Sequence, residues 1–125
     1  MRKLTWLPVF MIAFIGCQKE AIIDTVKPDI QILAPTAGAV LSVGDVMPVE
    51  VDFSENLGLH TYFIWLVAED GMPTLVEKQH LHALRHEVRL EFPLNGLEPG
   101  TYELQVTADD HDQNTTNAVV LVHLQ

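Results

Sequence analysis

The chain has 125 residues, with 17 Asp and Glu against 7 Lys and Arg, a formal charge of -10 and a single cysteine. That length builds one domain's core and not two. The lone Cys17 excludes an intrachain disulfide. The acidic balance lacks the clustered Lys and Arg that neutralise phosphates, so no nucleic-acid partner is expected. An apolar content of 48% is too high for a disordered chain.

Arg2 and Lys3 precede Leu4 to Ile15, an uncharged and mostly apolar run. The run falls short of the roughly 20 residues that cross a bilayer and suits the h-region of a signal peptide. It ends in Phe14-Ile15-Gly16-Cys17, which resembles a bacterial lipobox. The resemblance implies cleavage before Cys17, diacylglycerol on its sulfur and a further acyl chain on the new N-terminus. Several acyl chains anchor stably where one does not. Residues 1–16 are therefore expected to be a lipoprotein signal peptide, and residues 17–27 an acylated Cys17 and its tether. Losing Arg2 and Lys3 makes the mature chain still more acidic, and anionic lipid repels such a surface. The expected membrane contact is through the acyl chains. Cys17-Gln18-Lys19-Glu20 resembles the surface-export signal of Bacteroidota lipoproteins. The expected location is the cell envelope, as an outer-membrane lipoprotein on the periplasmic leaflet or at the cell surface.

From residue 28 onward apolar residues recur at period two, the signature of strands. Pro28 and Pro35 bracket a first strand over 29–34. Val49, Val51 and Phe53 alternate with Glu50 and Asp52, as in a half-buried strand. Leu59 to Val67 is apolar on both parities, as a central strand is. Within it Phe63, Ile64, Trp65 and Leu66 are consecutive, so one parity faces away from the core and is expected to be covered by a flanking element. Asp70-Gly71 and Pro73 turn the chain, and 74–79 forms a further strand. Val88, Leu90 and Phe92 alternate with charged residues, and Tyr102, Leu104, Val106 and Ala108 with polar ones. A polar loop over 109–117 leads to a last strand, 118–124. No segment sustains a 3.6-residue apolar period. The pattern predicts an all-β fold, an Ig-like or fibronectin-III-like antiparallel β-sandwich of about seven strands over residues 28–125. Pro99-Gly100-Thr101-Tyr102 resembles a tyrosine corner, and Trp65 is expected to fill the core position of the Ig tryptophan.

The longer motifs are Pro28-Asp29-Ile30-Gln31-Ile32-Leu33-Ala34-Pro35, Val43-Gly44-Asp45, and Asp52-Phe53-Ser54-Glu55-Asn56 followed by Leu59. Arg85-His86-Glu87-Val88, Pro99-Gly100-Thr101-Tyr102 and Ala108-Asp109-Asp110 complete the set. With the lipobox, they resemble a Bacteroidota lipoprotein family with an Ig-like domain of unknown function (domain-of-unknown-function family 4625). The resemblance covers most of the mature chain. It implies histidines around the middle strands, matched best by His80, His82 and His86, and no established activity.

Two constellations carry chemistry. His80-Leu81-His82 places two imidazoles on one strand face, about 6.5–7 Å apart. Imidazoles so placed can converge on Cu²⁺ or Zn²⁺. His86 shares their parity if the strand runs straight through, and His60 can join from the start of a neighbouring strand. The bland alternative is a polar edge with solvated histidines. Asp110, Asp112 and Asn114 have the spacing that opens a calcium loop, although Thr115 replaces its glycine and Leu121 its terminal glutamate. In a sandwich, Glu55 and Asn56 share that pole with Asp109, Asp110 and Asp112, a cluster able to take Ca²⁺. The bland alternative is that these residues make turns.

Catalysis has little support. His86-Glu87 begins like a zinc-protease helix motif, but Leu90 stands where its second histidine belongs. Cys17 is committed to lipid, and no glycine-rich phosphate loop occurs. The expected function is a lipid-anchored extracytoplasmic binding module without catalysis, meeting a protein or glycan partner through its pole loops. The alternative is a lipoprotein that binds Cu or Zn through its histidines.

Overall fold

The computed structural model describes Gly16 and residues 23–125. The expected signal peptide apart from Gly16, Cys17 and the first part of the tether lie outside the described residues. Eight strands follow in chain order: β1 (Asp29–Ala34), β2 (Ala39–Leu41), β3 (Val46–Ser54), β4 (Leu59–Ala68), β5 (Pro73–His80), β6 (Arg85–Pro93), β7 (Gly100–Asp110) and β8 (Thr115–Leu124). They form a three-stranded sheet, β1-β3-β6, and a five-stranded sheet, β2-β8-β7-β4-β5. The strand beyond the expected seven is β2. Three residues long, it pairs in parallel with the end of β8 and protects that sheet edge.

Alternation decides which faces meet. Met47, Val49, Val51 and Phe53 of β3 are buried, as are Tyr102, Leu104, Val106 and Ala108 of β7. Together with Tyr62, Ile64 and Leu66 of β4, they fill the space between the sheets. Tyr102 opens β7 and donates its hydroxyl proton to the Glu98 carbonyl at 2.7 Å, which closes the tyrosine corner.

The tryptophan expectation fails. Tyr62, Ile64 and Leu66 are the residues of β4 that face the core, so Trp65 between them points to the opposite face. There it lies across from Leu75 on β5 and Gln105 on β7. Phe63 shares this outer face, with the Lys78 ammonium 5.1 Å from its ring centroid. Val119 and Leu121 of β8 are exposed. Among the described residues no further layer covers this face.

The chain changes sheet between β5 and β6, through Leu81 to Leu84. This crossing is zippered onto the β3–β4 loop: the Glu55 amide donates to Leu84 O (2.8 Å), the Leu59 amide to Ala83 O (2.9 Å) and the Leu81 amide to His60 O (3.0 Å). Leu81 is buried beneath it. Gly58 sits there at φ +124°, a conformation that residues with a Cβ rarely adopt. The crossing, the β3–β4 loop and the β7–β8 turn form one end of the sandwich, the loop pole.

Candidate functional site

One half of the loop pole is built from histidine. The β4–β7 register steps from Leu59↔Asp110 directly to Thr61↔Asp109, so His60 is the extra residue of a β-bulge. A bulge re-aims a side chain, which simple period-two parity cannot anticipate. The His60 ring meets His80, at the end of β5, with centroids 4.4 Å apart. His80 meets His82 at 5.0 Å, His82 meets His111 at 4.9 Å, and His111 returns to His60 at 4.6 Å. Four imidazoles thus close a ring. Nδ1 of His82 and Nε2 of His111 lie 2.9 Å apart and share a hydrogen bond. Nδ1 of His60 is buried and has no partner. The side chains of His80, His82 and His111 are exposed. As they stand, no three of the four offer nitrogens mutually within 4.8 Å.

His86 is not in this ring. The chain does not run straight from His82 to His86, because the crossing moves it to the other sheet. There His86 pairs with Phe53, and its Nε2 lies 3.2 Å from the Tyr62 hydroxyl. The sequence places His60, His80 and His82 together with the wrong fourth partner. It missed His111, which sits inside an aspartate-rich turn and reads as part of that turn.

The other half of the pole is acidic. Asp110 Oδ1 accepts the amides of Asp112 and Asn114, both at 2.9 Å. Asp110 Oδ2 accepts from the Asn114 side chain at 2.7 Å. Burial alone raises the Asp110 pKa, but the Asn114 side chain and these two amides together hold it below the ordinary carboxylate value. Glu55 Oε2 accepts the amides of Leu57 (2.7 Å) and Gly58 (2.8 Å). Asp109 turns away and accepts from the Thr115 hydroxyl. Asn56 and Asp112 both reach a residue that the sequence assigned to the tether, Asp24. Asn56 Nδ2 donates to Asp24 Oδ1 at 3.1 Å, and the Asp24 amide donates to Asp112 Oδ2 at 3.2 Å. No local pattern places Asp24 at the pole; only the fold brings it there.

Fold and site together define a two-sheet, fibronectin-III-like sandwich with histidine and carboxylate groups gathered at one end. No protein-family model matches the chain, and no curated protein matches it. Among solved structures it is similar to the fibronectin(III)-like modules of Clostridium thermocellum CbhA. That likeness has 18% identity and a TM-score of 0.52, and covers 77% of this chain and 94% of that one. A beta-glucosidase from Listeria innocua aligns at 20% identity and a TM-score of 0.45, over 77% of this chain and 16% of its own. The first likeness shows the fold: this is a fibronectin-III-like β-sandwich.

Proposed function

We propose that the protein is a lipid-anchored, extracytoplasmic module without catalytic activity, and that it binds one Cu²⁺ or Zn²⁺ ion through His60, His80, His82 and His111. The observation that carries this reading is the closed ring of four imidazoles. Imidazole suits both ions. A tetrahedral ion with Zn–N bonds of 2.0–2.1 Å sets neighbouring nitrogens about 3.3 Å apart. The closest nitrogens of His82 and His111 already stand at 2.9 Å. His60 is fixed by the bulge and the Leu81 amide on its carbonyl, while the three exposed rings are free to swing onto the ion. Four protein ligands leave a tetrahedral ion no open position, which suits capture or carriage and not catalysis. The anchor and the location outside the cytoplasm rest on the resemblance of residues 14–17 to a lipobox.

The test is calorimetric titration of the full chain in detergent with Cu²⁺ and Zn²⁺, beside a His80→Ala/His82→Ala double variant. The reading predicts one ion per chain with Kd about micromolar or tighter, weakened at least a hundredfold in the variant. Affinity weaker than about millimolar, or equal affinity in the variant, refutes it.

A further inference from the structure

We infer that Asp24, Glu55 and Asp110 form a second, calcium-class site, which clamps the N-terminal segment onto the loop pole. One carboxylate oxygen from each of the three lies within 4.8 Å of the others. All three residues are buried, at 7%, 8% and 3% exposure. Glu55 carries the decisive detail. Its Oε2 is held by two backbone amides, whereas Oε1 is buried and has no hydrogen-bond partner. A buried carboxylate oxygen without a donor is costly, and more so with two further carboxylates beside it. The cost disappears when a cation occupies the point where the three converge.

The described residues supply no such cation. Among the described residues no Lys, Arg or His nitrogen lies within 4 Å of these carboxylates; the ion pairs are Arg89 with Asp52 and with Glu87, on the three-stranded sheet. The donors are all oxygen, which selects a hard ion. Ca²⁺ takes carboxylates and water in flexible number and geometry, whereas Mg²⁺ demands a near-ideal octahedron, so three carboxylates fixed by the fold fit Ca²⁺ better. The histidine ring is a separate site by donor type, although Asp110 and His111 are neighbours in sequence.

The consequence concerns the tether. Asp24 is pinned by Asn56 on its side chain, by Asp112 on its amide and by Asn114 Nδ2 on its carbonyl at 2.9 Å. The chain from Cys17 to Asp24 reaches at most about 25 Å when extended. With Cys17 acylated as proposed above, an occupied clamp holds the loop pole, and the histidine ring with it, within that reach of the bilayer. An open clamp lengthens the leash to Pro28, where the sandwich proper begins.

The experiment uses the full chain in detergent with Ca²⁺ alone as the probe. Calorimetry gives the affinity, and hydrogen exchange follows the amides of residues 23–28. The expected result is one Ca²⁺ per chain with Kd on the order of 10⁻⁴ M, as in extracellular modules. Exchange at Val26 slows at least tenfold, and Asp24→Asn and Glu55→Gln each weaken Ca²⁺ at least tenfold. Asp24 lies outside every strand, so Asp24→Asn decides the matter even if Glu55→Gln misfolds. Zn²⁺ affinity stays unchanged in Asp24→Asn, which separates this site from the histidine ring. No heat and no change in exchange up to about 10 mM Ca²⁺ overturns the inference, as does an unaltered Ca²⁺ affinity in Asp24→Asn.

Discussion

Tyr62 packs its ring against the opposite sheet, while its hydroxyl reaches Glu77 and Gln79 of its own sheet and His86 of the other; Tyr62→Phe isolates these polar contacts. The ring is fully buried and stacks on Phe53 of the opposite sheet, with centroids 4.6 Å apart. Phenylalanine keeps that packing. What it loses is the hydroxyl, which lies 3.0 Å from Glu77 Oε2, 3.0 Å from Gln79 Oε1 and 3.2 Å from His86 Nε2. A hydrogen bond to a charged group contributes about 1.5–3 kcal/mol. Gln79 is exposed and Glu77 half-buried, so water partly replaces the lost contact. The expected cost is about 1–2 kcal/mol, or roughly 4–16 °C in Tm for a domain of this size.

The same residue predicts a pH dependence. Burial, the hydrogen bond to Glu77 and the charge of Glu77 together raise the Tyr62 pKa well above 10. Below pH 10 the phenol is protonated in both folded and unfolded chains and contributes no slope. Above pH 10 the unfolded chain releases that proton while the folded one keeps it. Stability then falls with rising pH, by up to about 1.4 kcal/mol per unit. Tyr62→Phe lacks this component, so the gap between the variant and the natural protein narrows above pH 10. Urea denaturation at pH 7 and across pH 9–11 reads both effects. Equal stability at pH 7 together with parallel slopes above pH 10 would refute the reasoning.

Other perturbations follow from the same packing. Leu66→Ala empties a fully buried position of β4, an interior strand of the five-stranded sheet, and should cost about 2–5 kcal/mol by chemical denaturation; a loss below about 1 kcal/mol would mean that the site collapses freely. Tyr102→Phe removes the 2.7 Å bond to Glu98 O and should cost about 1 kcal/mol, with the urea m-value unchanged. If Cys17 carries the proposed acyl chains, Cys17→Ala should move the protein from the detergent phase to the aqueous phase in a partitioning assay. A variant that still follows the detergent would end the lipoprotein reading.

How much of this was legible in the sequence depends on whether a feature is local. β3, β6 and β7 announce themselves through alternation such as Val49, Val51 and Phe53 against Glu50 and Asp52. The tyrosine corner is visible because its four residues are contiguous. The meeting of Glu55 and Asn56 with the Asp110–Asn114 turn follows from sandwich connectivity alone. Non-local or irregular features stay hidden. Parity assigned His86 to the histidine cluster, because nothing in Leu81 to Leu84 signals a change of sheet. It gave no hint that His60 occupies a bulge. Trp65 lies on the strand that carries the core tryptophan of Ig domains, and with apolar residues on both parities only the burial shows that Tyr62, Ile64 and Leu66 take the inner face. Asp24 reads as linker, since its partners at the pole lie 32 to 90 positions away.

The most direct test of the metal-binding account compares the Zn²⁺ affinities of the natural chain, His111→Ala and His86→Ala in one calorimetric series. His111 closes the imidazole ring, whereas His86 lies on the other sheet against Tyr62. The account predicts at least a tenfold loss of affinity in His111→Ala and none in His86→Ala. Loss in His86→Ala with full affinity in His111→Ala, or no loss in either, would contradict it.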